Sequence, residues 1–193
     1  MKRWKMSRAT STLLTVLAVM VLATGVAGCA AAGERETGLR NRLTLNKGAR
    51  IMYEKLTPNM MVEDLNRTLD FYCNVLGFEF AMGVPENSQE IVTARQENQP
   101  LGFAVIKAGS VEMMFQAKKS LIEEIPEFSG IDIGGSLTFY IEVENVEELH
   151  ARLKDKVEII RDMQMTFYGK QEFYIRDCNG YILAFAGGIQ KSS

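Results

Sequence analysis

The segment LTFYIEVENVEEL, which begins at Leu137, echoes an earlier one, LTPNMMVEDLNRTL, which begins at Leu56. In both, Leu-Thr is followed after four residues by Val-Glu and then by Asp or Asn. Such an echo constrains a chain of 193 residues more than any bulk property does, because it asks for two copies of one supersecondary unit. Two copies are too few for a solenoid, whose stability needs at least three stacked repeats.

Each copy opens with a strand. In residues 137–143, Leu137, Phe139, Ile141 and Val143 fall on one face and Thr138, Tyr140 and Glu142 on the other, the alternation of a half-buried strand. A helix follows each. Asp64 is placed to cap the first, which carries Leu65, Leu69, Tyr72 and Leu76 on one stripe and stops at Gly77. Asn145 is placed to cap the second, with Glu148 in capping-box position and Val146, Leu149 and Leu153 as its stripe. Strand-like segments come next: 79–82, 91–94, 101–107 and 111–116 in the first half, then 157–161, 171–176 and 181–186 in the second. The segment 163–169 fits either a strand or a rim loop. Asp177-Cys178-Asn179-Gly180 is a hairpin turn. Both halves therefore read β-α-β-β-β. Between them, Lys118, Lys119, Glu123 and Glu124 mark a solvated linker helix and Gly134-Gly135 a hinge. Gly187-Gly188 reads as a chain exit, since no helix follows to make it a phosphate loop.

Two such modules, a first helix ending FYCNVLGFEF and a closing GKQEFYIRDCNGYILAF resemble the vicinal oxygen chelate superfamily, which includes glyoxalase I, extradiol dioxygenases, fosfomycin-modifying enzymes and bleomycin-binding resistance proteins. The resemblance spans about residues 51–188, with modules at about 51–117 and 135–188. It implies an α+β fold: two tandem βαβββ modules whose curved mixed sheets surround a cleft, helices outside. It also implies metal ligands, His or Glu, on the first and last strand of each module. Carried over one by one, those positions fall on Thr57, Glu112, Thr138 and Ala184. Only Glu112 offers a donor, and a catalytic divalent site needs about three protein ligands. The single histidine, His150, lies beside the apolar stripe of the second helix and reads as a boundary residue. No metal, cofactor or catalytic residue is expected, and a Ser-His-Asp triad has no support.

Strand alternation puts Glu112, Met114 and Gln116 on the open face of their strand, because the carboxylate would be costly beneath a helix. Thr57, Asn59 and Met61 join them from the first module, and Thr138, Tyr140 and Glu142 from the second. Tyr168 lines the rim and Glu172 lies on the strand behind it. The candidate binding set is Glu112, Met114, Tyr140, Glu142, Tyr168 and Glu172, a mixture of aromatic, thioether and carboxylate groups suited to a cationic or aromatic organic ligand. Phe167, Tyr168 and Tyr174 also read as plain packing, and Glu112 and Glu142 as solvated charges.

The N-terminus is an address. MKRWKMSR is basic, and TSTLLTVLAVMVLATGVAG is apolar, ends in small residues and is short for a membrane span. Val26-Ala27-Gly28-Cys29 resembles a bacterial lipobox, which implies cleavage after residue 28 and a diacylglycerol on Cys29. Ala30 favours the outer membrane where a cell has two. Residues 29–50 read as a tether. Of 22 basic residues, Lys2, Arg3, Lys5 and Arg8 belong to the leader, leaving 18 against 24 acidic residues, a net of −6. That balance argues against nucleic acid as a partner. Cys73 and Cys178 are expected as free thiols, with a disulfide the alternative in an exported protein. Three functions compete: an envelope-anchored, metal-free module that sequesters or senses a small organic molecule; a lyase, transferase or dioxygenase whose metal sits on atypical ligands such as Glu112 with Glu142 or Glu172; and an accessory lipoprotein with a vestigial cleft. Monomer and homodimer both fit.

Overall fold

The computed structural model describes residues 52–96 and 99–188. The leader 1–28 and the whole tether 29–50, Cys29 included, lie outside these. The compact unit begins at Thr57. Strands β1 (Asn59–Val62), β2 (Glu79–Pro85), β3 (Leu101–Ala108) and β4 (Val111–Ala117) form one sheet in the order β1-β4-β3-β2. Strands β5 (Thr138–Glu142), β6 (Glu158–Met165), β7 (Lys170–Arg176) and β8 (Ile182–Gly188) form the second in the order β5-β8-β7-β6. In each sheet the first strand runs parallel to the last, and the other pairs are antiparallel. Both sheets are open and mixed, and the duplication is plain in their identical order.

The helices are α1 (Leu65–Asp70), α2 (Lys118–Glu124) and α3 (Val146–Leu153). Asp64 caps α1 by accepting from the Arg67 amide at 3.0 Å. Past Asp70 the chain widens into a π-turn, Phe71–Leu76, which alternation of apolar residues did not foretell, and Gly77 ends it at φ +87°. Asn145 caps α3 by accepting from the Glu148 amide at 3.1 Å, and its own amide donates to the Glu148 carboxylate at 2.9 Å. The capping box is thus closed between side chains.

The helix-facing sides of both sheets meet in one core. Met60, Phe115, Ile106 and Met113 come from the first sheet, Ile141, Phe173, Ile175, Leu183 and Phe185 from the second. Leu65, Leu69, Tyr72 and Leu76 from the first helix, and Val146 and Leu153 from α3, complete it. Burying a side chain of this size contributes roughly 1.5–3 kcal/mol, so the shared core joins the modules into one body.

Polar bonds fix how they join. Asp177, 5% exposed, accepts from the Tyr72 hydroxyl at 2.8 Å and from the Asn179 and Tyr181 amides at 2.8 and 2.7 Å. The Asn179 side-chain Nδ2 donates to the buried Thr68 hydroxyl at 3.0 Å, and the Tyr181 hydroxyl to the Met61 carbonyl at 2.9 Å. The turn of the second module is thereby fastened to the helix and first strand of the first.

Three expectations change. Segment 91–94 is not a strand: Val92 alone bridges Gly83. Arg95 holds Asp70 at 2.6 Å and the Asn66 carbonyl at 3.1 Å, so this loop is tied to the first helix instead of running along β2. Leu137 is exposed, because β5 begins one residue later. Gly187 belongs to β8 and is a packing glycine: an added Cβ would meet the Val143 carbonyl at 2.9 Å and Val146 at 3.0 Å.

Tyr72→Phe leaves the buried Asp177 carboxylate without one donor. The expected loss is about 1–3 kcal/mol of unfolding free energy, measured by chemical denaturation. An unchanged midpoint would remove this bond from the account.

Candidate functional site

The open face of the second sheet is built in rows by strand register. Tyr140 on β5 pairs with Ala184 on β8, which pairs with Tyr174 on β7, which pairs with Arg161 on β6. The next row is Glu142, Ala186, Glu172 and Gln164. Two alanines thus form the floor, and longer side chains from the flanking strands lean over it.

Glu172 is the centre. It is 2% exposed and accepts from three tyrosines. Tyr140 donates to its Oε1 at 2.9 Å, Tyr174 to its Oε2 at 3.1 Å, and Tyr168, on the turn between β6 and β7, also to Oε1. Burial pushes the Glu172 pKa up, but the hydrogen bonds from Tyr168, Tyr140 and Tyr174, together with the Arg161 charge, outweigh it and hold the carboxyl below its ordinary value. Glu172 is therefore ionised at neutral pH. The tyrosines shift the other way. Burial and then the bond to Glu172 raise Tyr140 and Tyr174, and the bond to Glu172 is the main cause for Tyr168. Two cations border the cluster: Arg161 lies 5.4 Å from the centre of the Tyr174 ring, and Lys170 lies 5.8 Å from that of Tyr140 while ion-paired to Glu142. Tyr140 and Tyr168 remain about half exposed, and Phe167 at the hairpin tip is fully exposed.

The other expected residues lie elsewhere. Glu112 and Met114 are on the first sheet, on the face shared with Gln116, and the bonds that build the tyrosine cluster come from the second sheet alone. The Gln116 end of that face is covered. Its side-chain amide donates to Ser120 at 3.1 Å and to Glu124 at 2.9 Å and accepts from Asn59 at 2.8 Å, while Leu121 is buried. The linker helix α2 thus folds back onto the sheet, where a solvated helix was expected. Tyr174, read in the sequence mainly as packing, belongs to the cluster; its two-residue spacing from Glu172 on one strand was the available signal.

The four positions carried over from the resemblance as metal-ligand positions do not form a donor set. Thr57 precedes β1, Thr138 opens β5, and Ala184 lies under the tyrosines. Register also moves one correspondence: Asn59, the repeat partner of Tyr140, pairs with Met114, so Met114 and not Glu112 matches Ala184. Among the described residues no three His, Cys, Asp or Glu side chains gather as a metal group. Three phenol hydrogens already point at the Glu172 carboxylate. His150 bonds Asp162 at 2.7 Å and packs edge-on to Phe173, a boundary role. Cys73 and Cys178 are free thiols, and burial with the nearby Asp177 charge pushes Cys178 up to about 11.

The model of the Glyoxalase/Bleomycin resistance protein/Dioxygenase superfamily matches residues 55–185. No curated protein matches the chain in sequence. Among solved structures, a protein of unknown function from Agrobacterium tumefaciens superposes with a TM-score of 0.54 at 19% identity, covering 74% of this chain and all of that one. A glyoxalase/bleomycin resistance protein/dioxygenase from Nocardioides gives 0.53 at 14%, covering 75% and 90%. A member of the same superfamily from Sphaerobacter thermophilus gives 0.52 at 20%, covering 71% and 99%. At these identities the likeness establishes the fold.

Because Glu172 is an anion in the folded state, ionising a tyrosine beside it adds a second negative charge. Tyrosines 140, 168 and 174 should thus titrate above their ordinary value near 10, and the stability they lend is present below that pH and lost as pH rises through the raised values. Absorbance at 295 nm should show delayed tyrosine ionisations, and those of Tyr140, Tyr168 and Tyr174 should move to lower pH in Glu172→Gln, which removes the charge but not the burial. Identical curves would contradict the cluster.

Proposed function

The chain belongs to the glyoxalase/bleomycin resistance protein/dioxygenase superfamily, and from that premise we propose that it is a binding module of the cell envelope, which captures a cationic, aromatic small molecule on the Tyr140–Tyr168–Tyr174–Glu172 face without altering it. One observation carries this reading: a buried, ionised carboxylate bonded by three phenols, two of them half exposed on an open sheet face. Such a face offers negative charge and ring quadrupoles together, which favours a desolvated cation by about 2 kcal/mol per well-placed ring.

The protein's own side chains support the ligand class. Lys170 and Arg161 already lie over Tyr140 and Tyr174. Lys170 comes from the end of the exposed hairpin and is held by Glu142, itself exposed, so an incoming planar cation can displace it while Glu142 remains as a second counter-charge. The arrangement offers no nucleophile paired with a base, and the family's metal positions supply no donor set, which favours capture over catalysis.

Full-length protein titrated with N-methylacridinium should quench the dye saturably. Glu172→Gln should weaken binding about tenfold, roughly 1.4 kcal/mol, and Tyr140→Phe less, since it keeps the ring. Absence of saturation, or equal affinity in Glu172→Gln, would refute the reading.

Anchoring rests on the lipobox-like Val26-Ala27-Gly28-Cys29 and the tether behind it. No helix among the described residues is long and apolar enough to cross a membrane. In a bacterial host the wild-type chain should fractionate with membranes and incorporate labelled palmitate, and Cys29→Ser should do neither. Membrane retention of Cys29→Ser without label would show a different anchor.

A further inference from the structure

The duplicated unit meets itself at two junctions, and they are built differently. At the first, the turn before β8 packs on the first helix through Asp177, Asn179 and Tyr181, bonded to Tyr72, Thr68 and the Met61 carbonyl. Strand register and the Leu56/Leu137 echo name the counterparts at the second, where the turn before β4 faces α3. Ala108 stands for Asp177, Val111 for Tyr181, Leu149 for Thr68 and Leu153 for Tyr72. Those four polar side chains of the first junction are each replaced by an aliphatic one. The turn is also shorter, Gly109-Ser110 where the other has Cys178-Asn179-Gly180. The second junction contains a cavity of about 290 Å3 whose lining includes Ala108, Val111, Ile141, Leu149 and Phe185. Exposed Asn145, Glu148 and Arg152 form its polar rim.

We propose that this cavity is a binding site for a small neutral phenol or alkyl-aromatic molecule, whose ring takes the place that the Tyr181 side chain takes at the other junction. An apolar cavity of about 150 Å3 already holds benzene, so this one accommodates a substituted ring. The fold supplies the precedent for orientation. Tyr181 packs edge-on to Phe139 and donates its hydroxyl to the Met61 carbonyl. The repeat counterpart of Met61 is Glu142, which lines the cavity and whose carbonyl is the matching acceptor for a ligand hydroxyl. The site lies at the module junction beside α3; it shares Glu142 with the edge of the tyrosine face, but Tyr140, Tyr168, Tyr174 and Glu172 do not line it.

The test uses 4-methylphenol, the tyrosine side chain as a free molecule, with full-length protein and methyl NMR. Expected are saturable shifts of the Val111, Val143 and Leu149 methyls and a rise in Tm with added phenol. Val111→Tyr, which restores the side chain of the other junction, should weaken binding at least tenfold and raise Tm without ligand. Leu149→Trp is the second variant if Val111→Tyr does not fold. Equal shifts in wild type and variant, or shifts centred on Tyr140 and Tyr174, would overturn the proposal. So would concentration-dependent self-association abolished by Val111→Tyr, which would make a second copy of the chain the occupant.

Discussion

The carboxylate of Asp177 is the constraint on which the arrangement of this molecule rests. It is almost fully buried, and a buried carboxylate is tolerable only when its lone pairs are taken. Two of its partners are amides of its own turn, and the third is Tyr72 on the helix of the other module. The turn and the inter-module contact are therefore satisfied together or not at all. Burial, with the Asp177 charge and bond behind it, raises the Tyr72 pKa well above its ordinary value, so this phenol stays a donor throughout the physiological range. With that junction fixed, the two sheets share one core and each keeps one face free of it.

Duplication then lets the copies diverge. Both contain the same strand order and similarly capped helices, yet their free faces are used differently. The Gln116 end of the first is closed by α2 through Asn59, Ser120 and Glu124. The second gathers Tyr140, Tyr168, Tyr174 and Glu172 around a floor of two alanines. Small floor residues matter as much as the polar ones, because a bulky side chain at 184 would fill the space between Tyr140 and Tyr174. The junctions diverge in the same way, one sealed by hydrogen bonds and the other aliphatic and hollow.

Much of this was legible in the chain because it depends on local chemistry. The caps at Asp64 and Asn145, the stop at Gly77, the alternation in β5 and the turn at residues 177–180 each follow from the conformation or bonding of a few neighbouring residues. The failures required distant partners. The segment 91–94 has strand-like composition, but only Val92 finds a ladder partner, since Arg95 draws the loop toward the first helix. The linker helix looked solvated by charge count, although Leu121 and the Ser120–Glu124 spacing suit the Gln116 end of the sheet. Alternation assigned Glu112 to an open face and left Glu172 on the strand behind the rim, since periodicity along a strand carries no information about which sheet meets which ligand. The Tyr174 hydroxyl was hidden for the same reason: a tyrosine in a strand packs by its ring whether or not its oxygen reaches an acid.

The functional account turns on one charge. If Glu172 is an anion held by three phenols, its face is a receptor for cations; if it is neutral, the tyrosines are only packing. Hydrogen bonds to the charged form lower a carboxyl pKa while burial raises it, and the geometry here favours the first effect. The direct measurement is the carboxyl 13C resonance of Glu172 followed with pH. The account predicts a carboxylate shift at neutral pH and a titration displaced below the usual glutamate value. A protonated carboxyl at neutral pH, or titration above the ordinary value of about 4.3, would contradict it.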